Sequence, residues 1–253
     1  MKVTIVRKNR RGGFTLIELM VVIAIIATLA SVSWGPILDQ LNSGDRSAAA
    51  SNLSNLHKTM QMFQRDHGVY PCDSLANRFM EDERYSTANY GMLTGNYSNN
   101  YFRQLFYLPS LQSEENFYAK VNVNGRLTKR PDNKLANGRA LEKGECGFGY
   151  VMTKGDEEEG EANTKGPVSH SNAPLILTSV AGRMPVPGTN LEMDAQSFRE
   201  KAIVLFNSGS VREMDLTPDD KDDRKGTLKD LFPENKRTGN SQADQYIVLP
   251  PDL

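Results

Sequence analysis

Arg11-Gly12-Gly13-Phe14-Thr15-Leu16-Ile17-Glu18-Leu19-Met20 opens an apolar run that continues to Val32. From Leu19 to Ala30 every residue is Leu, Met, Val, Ile or Ala except Thr28. Phe14 to Trp34 amounts to about 20 residues, enough to cross a bilayer core. Lipid offers the backbone no hydrogen bonds, so such a span must be helical. Lys2, Arg7, Lys8, Arg10 and Arg11 precede it, with no acid among residues 1–13. Positive charge on that flank predicts a cytoplasmic N-terminus and an exported C-terminal part.

Two ordinary accounts compete for this stretch. A secretory signal peptide would be cut on the far side of the run, where Ala30-Ser31-Val32-Ser33 offers small residues. A plain membrane anchor needs only the apolar length. Neither accounts for Glu18, because an ionisable residue inside a span costs a few kcal/mol and marks function.

Leader, carboxylate and apolar run together resemble the type IV prepilin signal. The resemblance implies cleavage after Gly13 by a prepilin peptidase, which also methylates the new N-terminus to N-methylphenylalanine at Phe14. Glu18 then becomes the fifth residue of the mature chain, where it would neutralise the amino group of a neighbouring subunit in a filament. Opposite charges that are costly alone in a low-dielectric bundle are tolerable as a pair, and their pairing can set the stagger between subunits. Gly12-Gly13 suits proteolysis, since glycine lets the chain unwind into an active site. The implied organisation is a prepilin leader at 1–13 and a transmembrane and assembly half-helix at 14–34. Residues 35–253 would form a periplasmic or extracellular α+β domain, including an amphipathic helix at about 47–66.

The 253 residues suffice for one sizeable domain beyond the anchor. Five of the 30 Lys and Arg residues lie in the leader, leaving 25 against 31 Asp and Glu, a formal charge of −6. A mildly acidic exterior argues against nucleic acid as a partner. The apolar share of 38% suits a loop-rich outer domain. Cys72 and Cys146 are the two cysteines. Outside the inner membrane a disulfide between them is permitted, with two free thiols as the alternative. Neither has a second sulfur or a histidine at ligand spacing.

Trp34-Gly35-Pro36 predicts a kink or local melting, because proline removes one intrahelical bond and crowds the preceding turn. Asn42-Ser43-Gly44-Asp45 is a second weak point. Helix resumes from Ser47 to about Asp66, with Leu53, Leu56, Met60 and Phe63 at spacings of three or four and Asn52, Asn55, Lys58 and Gln61 toward water. His57 and His67 lack any partner pattern and read as surface residues. Gly68-Val69-Tyr70-Pro71 ends the helix: Gly68 terminates it, Pro71 forbids its return, and Tyr70 folds back on it. This exit is similar to that of the major pseudopilins of type II secretion.

Residues 72–147 exceed what small pseudopilins carry. Tyr85, Tyr90, Tyr97, Tyr101, Phe102, Phe106 and Tyr107 lie among Asn, Ser and Gly. They read as a satellite core, or alternatively as a surface that stacks glycan or bases. A short helix is predicted over 102–111, a segment running into a strand over 114–122, and a hairpin turning at Asn124-Gly125. Strands are predicted over 147–153 and 173–179. Residues 201–206 and 211–214 form a hairpin about Asn207-Ser208-Gly209-Ser210, and 246–249 a final edge strand.

The sequence holds no Gly-x-Ser-x-Gly, phosphate loop or paired metal-binding histidines, so no catalytic role is expected. No cofactor is expected either. Calcium on the acidic segment Asp215–Asp223 is a weaker alternative to a solvated loop, and Glu157–Glu161 reads likewise as solvated. The resemblance implies a filament subunit, in a periplasmic pseudopilus or a cell-surface pilus. Its partners would be copies of itself, the prepilin peptidase and methyltransferase, the inner membrane before assembly, and an inner-membrane platform with its ATPase. The alternative is a minor pilin whose outer domain binds glycan or DNA.

Overall fold

A computed structural model of the protein describes residues 14–85, 88–123, 125–154, 165–219, 224–228, 231–232 and 243–253. The helices are α1 (Leu16–His67), α2 (Asp73–Glu81) and α3 (Ser98–Phe102), the last running into a 3-10 turn at Arg103–Tyr107. The first strands are β1 (Asn122–Val123), β2 (Arg126–Leu127), β3 (Phe148–Lys154), β4 (Lys165–Gly166), β5 (Pro174–Thr178) and β6 (Val186–Pro187). They are followed by β7 (Met193–Asp194), β8 (Lys201–Phe206), β9 (Val211–Asp215), β10 (Thr217–Pro218), β11 (Lys225–Thr227) and β12 (Tyr246–Leu249). A long N-terminal helix followed by antiparallel sheet is the pilin-like α+β arrangement.

The chain divides into two units, Met1–Ser43 and Gly44–Leu253. In the first, residues 14–33 are exposed throughout. Leu16–Ser33 is apolar and long enough to cross a membrane. The backbone stays helical through Trp34-Gly35-Pro36 and through 42–45, where the sequence predicts weak points. One proline forfeits a single intrahelical bond, while the turns on either side keep theirs.

The second unit has one apolar core, and α1 supplies it with Ala49, Leu53, Leu56, Met60 and Phe63. Lys58 and Gln61 face water, whereas Asn52 is half-buried and donates from Nδ2 to the Tyr118 carbonyl at 2.8 Å. His57 is buried at 7% exposure, against expectation. It lies one position beyond Leu56, so it shares the edge of the apolar stripe, and the β8–β9 turn closes over it. A Cβ on Gly209 would sit 2.8 Å from His57 Nε2. His67 is half-buried among rings, 4.5 Å from Phe63 and 5.1 Å from Phe79. A neutral imidazole is an adequate apolar plate, which its sequence setting did not reveal, and burial favours that neutral form.

The helix exit behaves as its residues predict. Gly68 takes φ +87° and its N–H donates to the Gln64 carbonyl at 2.7 Å, closing α1 with a left-handed cap. Tyr70 is buried. The Pro71 carbonyl accepts from the Tyr150 hydroxyl of β3 at 3.0 Å. Beyond it Asp73 opens α2 and accepts from the Tyr101 hydroxyl at 2.6 Å and the Lys165 N–H at 2.7 Å.

The aromatics of 85–107 build core, except Tyr97, which is half-exposed and stands outside it. Tyr101, Phe102 and Phe106 are buried, and Tyr85, Tyr90 and Tyr107 pack against them half-exposed. Phe79, Tyr85, Tyr90 and Tyr107 form a chain of edge and tilted contacts between 4.5 and 5.3 Å. Phe102 reaches Tyr150 of β3 at 5.3 Å. The helix predicted at 102–111 begins earlier, at Ser98, and finishes as the 3-10 turn. The segment from Glu114 is a 3-10 turn at Glu115–Phe117, leading to strand only at β1. β1 and β2 pair around 124–125 as predicted, with Asn124 itself outside the described residues.

Among the described residues the main sheet has seven strands, ordered β6-β12-β3-β5-β8-β9 with β4 on β3, all antiparallel. β3, β5 and β8 are almost wholly buried and β9 is the wetter edge. The C-terminal β12 lies inside the sheet between β6 and β3, not at its edge. The short β6 that covers it is two residues with Pro187 in it, too brief to register in the sequence.

Candidate functional site

The start of α1 is a capping box. Thr15 is the residue before the helix, and Glu18 receives its N–H and its hydroxyl on Oε2, both at 2.8 Å. The Glu18 N–H returns to Thr15 Oγ1 at 3.3 Å. A Thr-x-x-Glu pair satisfies two of the orphan N–H groups that every helix start leaves. Glu18 thus has a local partner inside its own chain, which the sequence shows as the spacing Thr15-Leu16-Ile17-Glu18. Phe14 is 85% exposed just before it. Gly13 and the rest of the leader lie outside the described residues.

Cys72 and Cys146 are both buried free thiols, so the permitted bridge is not formed in this structure. Each sulfur has its own polar neighbour: Ser74 Oγ at 3.2 Å from Cys72 Sγ, and the Phe148 carbonyl at 3.5 Å from Cys146 Sγ. Burial pushes the Cys146 thiol up to about 12.

Of the acidic C-terminal segment, Asp215 pairs with Lys201 Nζ at 3.2 Å. Asp220, Asp222 and Asp223 lie outside the described residues, as does Glu157–Glu161.

A different set of carboxylates converges in the second unit. One ligand oxygen each from Glu114, Asp132 and Glu145 lies within 4.8 Å of the others. Glu114 precedes the 3-10 turn at Glu115–Phe117, and its Oε1 accepts from the Leu141 N–H at 2.5 Å. Leu141 itself takes φ +47°, a conformation costly for a branched residue. Glu145 accepts the Asp132 N–H at 3.2 Å and the Glu142 N–H at 2.7 Å. Asp132 is exposed and meets Lys134 Nζ at 2.8 Å and Arg139 Nη2 at 3.1 Å. Burial holds the Glu114 carboxyl above the usual carboxylate range, opposed by the Leu141 N–H and reinforced by Glu145. Burial raises Glu145 as well. Nothing in the sequence links three acids separated by 18 and 13 positions.

Residues 8–34 match the family model described as the prokaryotic N-terminal methylation motif, a stretch that covers Gly13, Phe14 and Glu18. The chain carries that motif at the head of a long helix followed by antiparallel sheet, a pilin-like α+β arrangement.

Over part of its length the chain is similar to the type II secretion system core protein G of Aeromonas hydrophila, 34% identical over 77 residues, which is 28% of this chain and 54% of that one. Core protein G of Pectobacterium carotovorum subsp. carotovorum is 37% identical over 62 residues, 24% of this chain and 40% of the relative. The fimbrial protein EcpC of Eikenella corrodens is 36% identical over 69 residues, 27% of this chain and 45% of the relative. The chain thus spans about half the length of the curated relatives it matches. None of these three is an enzyme. No solved structure matches the chain.

Proposed function

We propose that the protein is a structural subunit of a type IV pilin-like filament, a pseudopilus or a pilus. One observation carries this reading: the methylation motif at 8–34 takes in the helical stretch Leu16–Ser33, whose apolar side chains are exposed all round and whose one carboxylate is Glu18. A surface of that kind requires lipid or other apolar helices. In the proposed cycle the subunit waits in the inner membrane with its C-terminal unit in the periplasm. It is cleaved after Gly13, methylated on Phe14, and drawn by a membrane platform and its ATPase into a bundle of apolar helices. In that bundle Glu18 would leave Thr15, or share it, and pair with the Phe14 amino group of a neighbour.

Two substitutions separate the local and the intersubunit roles of Glu18. Glu18→Gln keeps a capping box, since glutamine serves at that position, but removes the charge. Glu18→Ala removes both. Both variants are expected to be cut after Gly13 like the wild type, as read by mass spectrometry of the Phe14 N-terminus. Neither is expected in sheared or cross-linked filaments. Filaments from Glu18→Gln at the wild-type level would reduce Glu18 to a helix cap and end the charge-pairing account. A chain never cut after Gly13 in cells containing prepilin peptidase would end the whole reading.

A further inference from the structure

We propose that Glu114, Asp132 and Glu145 form a calcium site that ties together the three loop segments carrying them. The motivating observation is Glu114 Oε2. Glu114 is 0% exposed, and this oxygen is buried with no hydrogen-bond partner while the other oxygen of the same carboxylate holds the Leu141 N–H. A buried polar atom left unmatched is costly and calls for a ligand. Glu114 is also one of three carboxylates that each bring one oxygen within 4.8 Å of the others.

The chemistry selects the occupant. All three donors are carboxylate oxygens, which suit a hard divalent cation and not zinc or copper. Calcium takes six to eight oxygens in a flexible shell, whereas magnesium demands near-ideal octahedral geometry and keeps several of its waters, so three protein carboxylates carried on separate loops suit calcium better. The cations nearby do not replace it. Lys134 and Arg139 both engage Asp132 from its exposed side. Arg103 spends its guanidinium on the carbonyls of Ala140, Leu141 and Met92. Among the described residues no cation forms an ion pair with Glu114 or Glu145. Glu145 meanwhile clamps the N–H groups of Asp132 and Glu142, so a cation at this point would brace the loops on both sides of it. Water would complete the coordination shell.

The test uses the full chain in detergent, stripped with EDTA and then supplied with CaCl2 or MgCl2, with thermal unfolding as the readout. Calcium well above its dissociation constant is expected to raise Tm by roughly 5 °C, and magnesium at the same concentration by less. Glu114→Gln is expected to abolish the rise. Without calcium it should melt no lower than the wild type, because the amide still accepts from Leu141 N–H and offers an N–H to the facing carboxylates. Should Glu114→Gln fail to fold, Asp132→Asn alters the exposed ligand and is expected to weaken calcium by about tenfold. No calcium-dependent rise in the wild type overturns the site. An equal rise in a folded Glu114→Gln overturns it too, as does unchanged affinity in Asp132→Asn. An equal response to magnesium overturns the assignment to calcium.

Discussion

Gln104 pairs its side-chain amide with both backbone groups of Cys72. Nε2 donates to the Cys72 carbonyl at 3.1 Å, and Oε1 accepts the Cys72 N–H at 3.2 Å. The same Nε2 reaches the Leu93 carbonyl at 2.8 Å. Cys72 follows the helix-breaking Pro71 and precedes α2, whose Ala76 N–H its carbonyl accepts at 3.1 Å, but its own N–H has no helix or strand to join. Gln104, wholly buried, stands in for a β-strand neighbour.

Gln104→Leu keeps the volume and removes the amide, leaving the Cys72 N–H and the Leu93 carbonyl without the partner they have now, while the Cys72 carbonyl keeps the Ala76 N–H at 3.1 Å. Each such group costs about 1–3 kcal/mol, so a loss of about 2 kcal/mol or more is expected. Urea unfolding of the full chain in detergent measures it. Gln112→Leu is the control, since Gln112 is exposed and its bond to the Pro109 carbonyl is replaceable by water; it is expected to shift stability by less than about 0.5 kcal/mol.

Gly209 couples the β8–β9 turn to α1. Its φ of +87° is one that a side chain resists, and a new Cβ would press on His57 Nε2 at 2.8 Å. Gly209→Ala is therefore expected to destabilise by about 1–2 kcal/mol, combining left-handed strain with displacement of a buried ring. Combining it with His57→Ala should cost less than the sum of the two single changes. Strict additivity in that cycle would show that the two residues do not touch.

High pH should loosen the second unit before it loosens an average protein. Burial pushes the Cys146 thiol up to about 12, and burial also raises the phenols of Tyr150 and Tyr101. In the unfolded chain the thiol ionises near 8.5 and the phenols near 10. The folded state thus holds protons that the unfolded state releases. Stability is intact below about pH 8.5 and falls as pH rises toward 12. A urea midpoint unchanged between pH 8 and pH 10.5 would contradict this. The same burial predicts that neither Cys72 nor Cys146 reacts with a thiol reagent at pH 8 until the protein unfolds.

How far the sequence could be read depended on the distance over which each feature is decided. The stripe Leu53, Leu56, Met60 and Phe63 became core because helical geometry alone puts those positions on one face. Gly68 ended α1 and the turn at 207–210 joined β8 to β9 for equally local reasons. His57 misled because burial at the margin of a stripe depends on what covers it, here a turn some 150 residues away in the chain. β12 was assigned to an edge because β6, its outer neighbour, is too short to leave a pattern.

The N-terminal motif, the membrane-length helix and the pilin-like succession of helix and sheet were determined by the sequence itself, since charge, apolar length and turn chemistry act between near neighbours. The capping box of Thr15 and Glu18 belongs with them, its spacing visible to the eye. Only the tertiary structure brought Gln104 to the backbone of Cys72, or gathered Glu114, Asp132 and Glu145 within reach of one another. Those meetings join loops without periodicity, and their positions follow from the packing of the core beneath them.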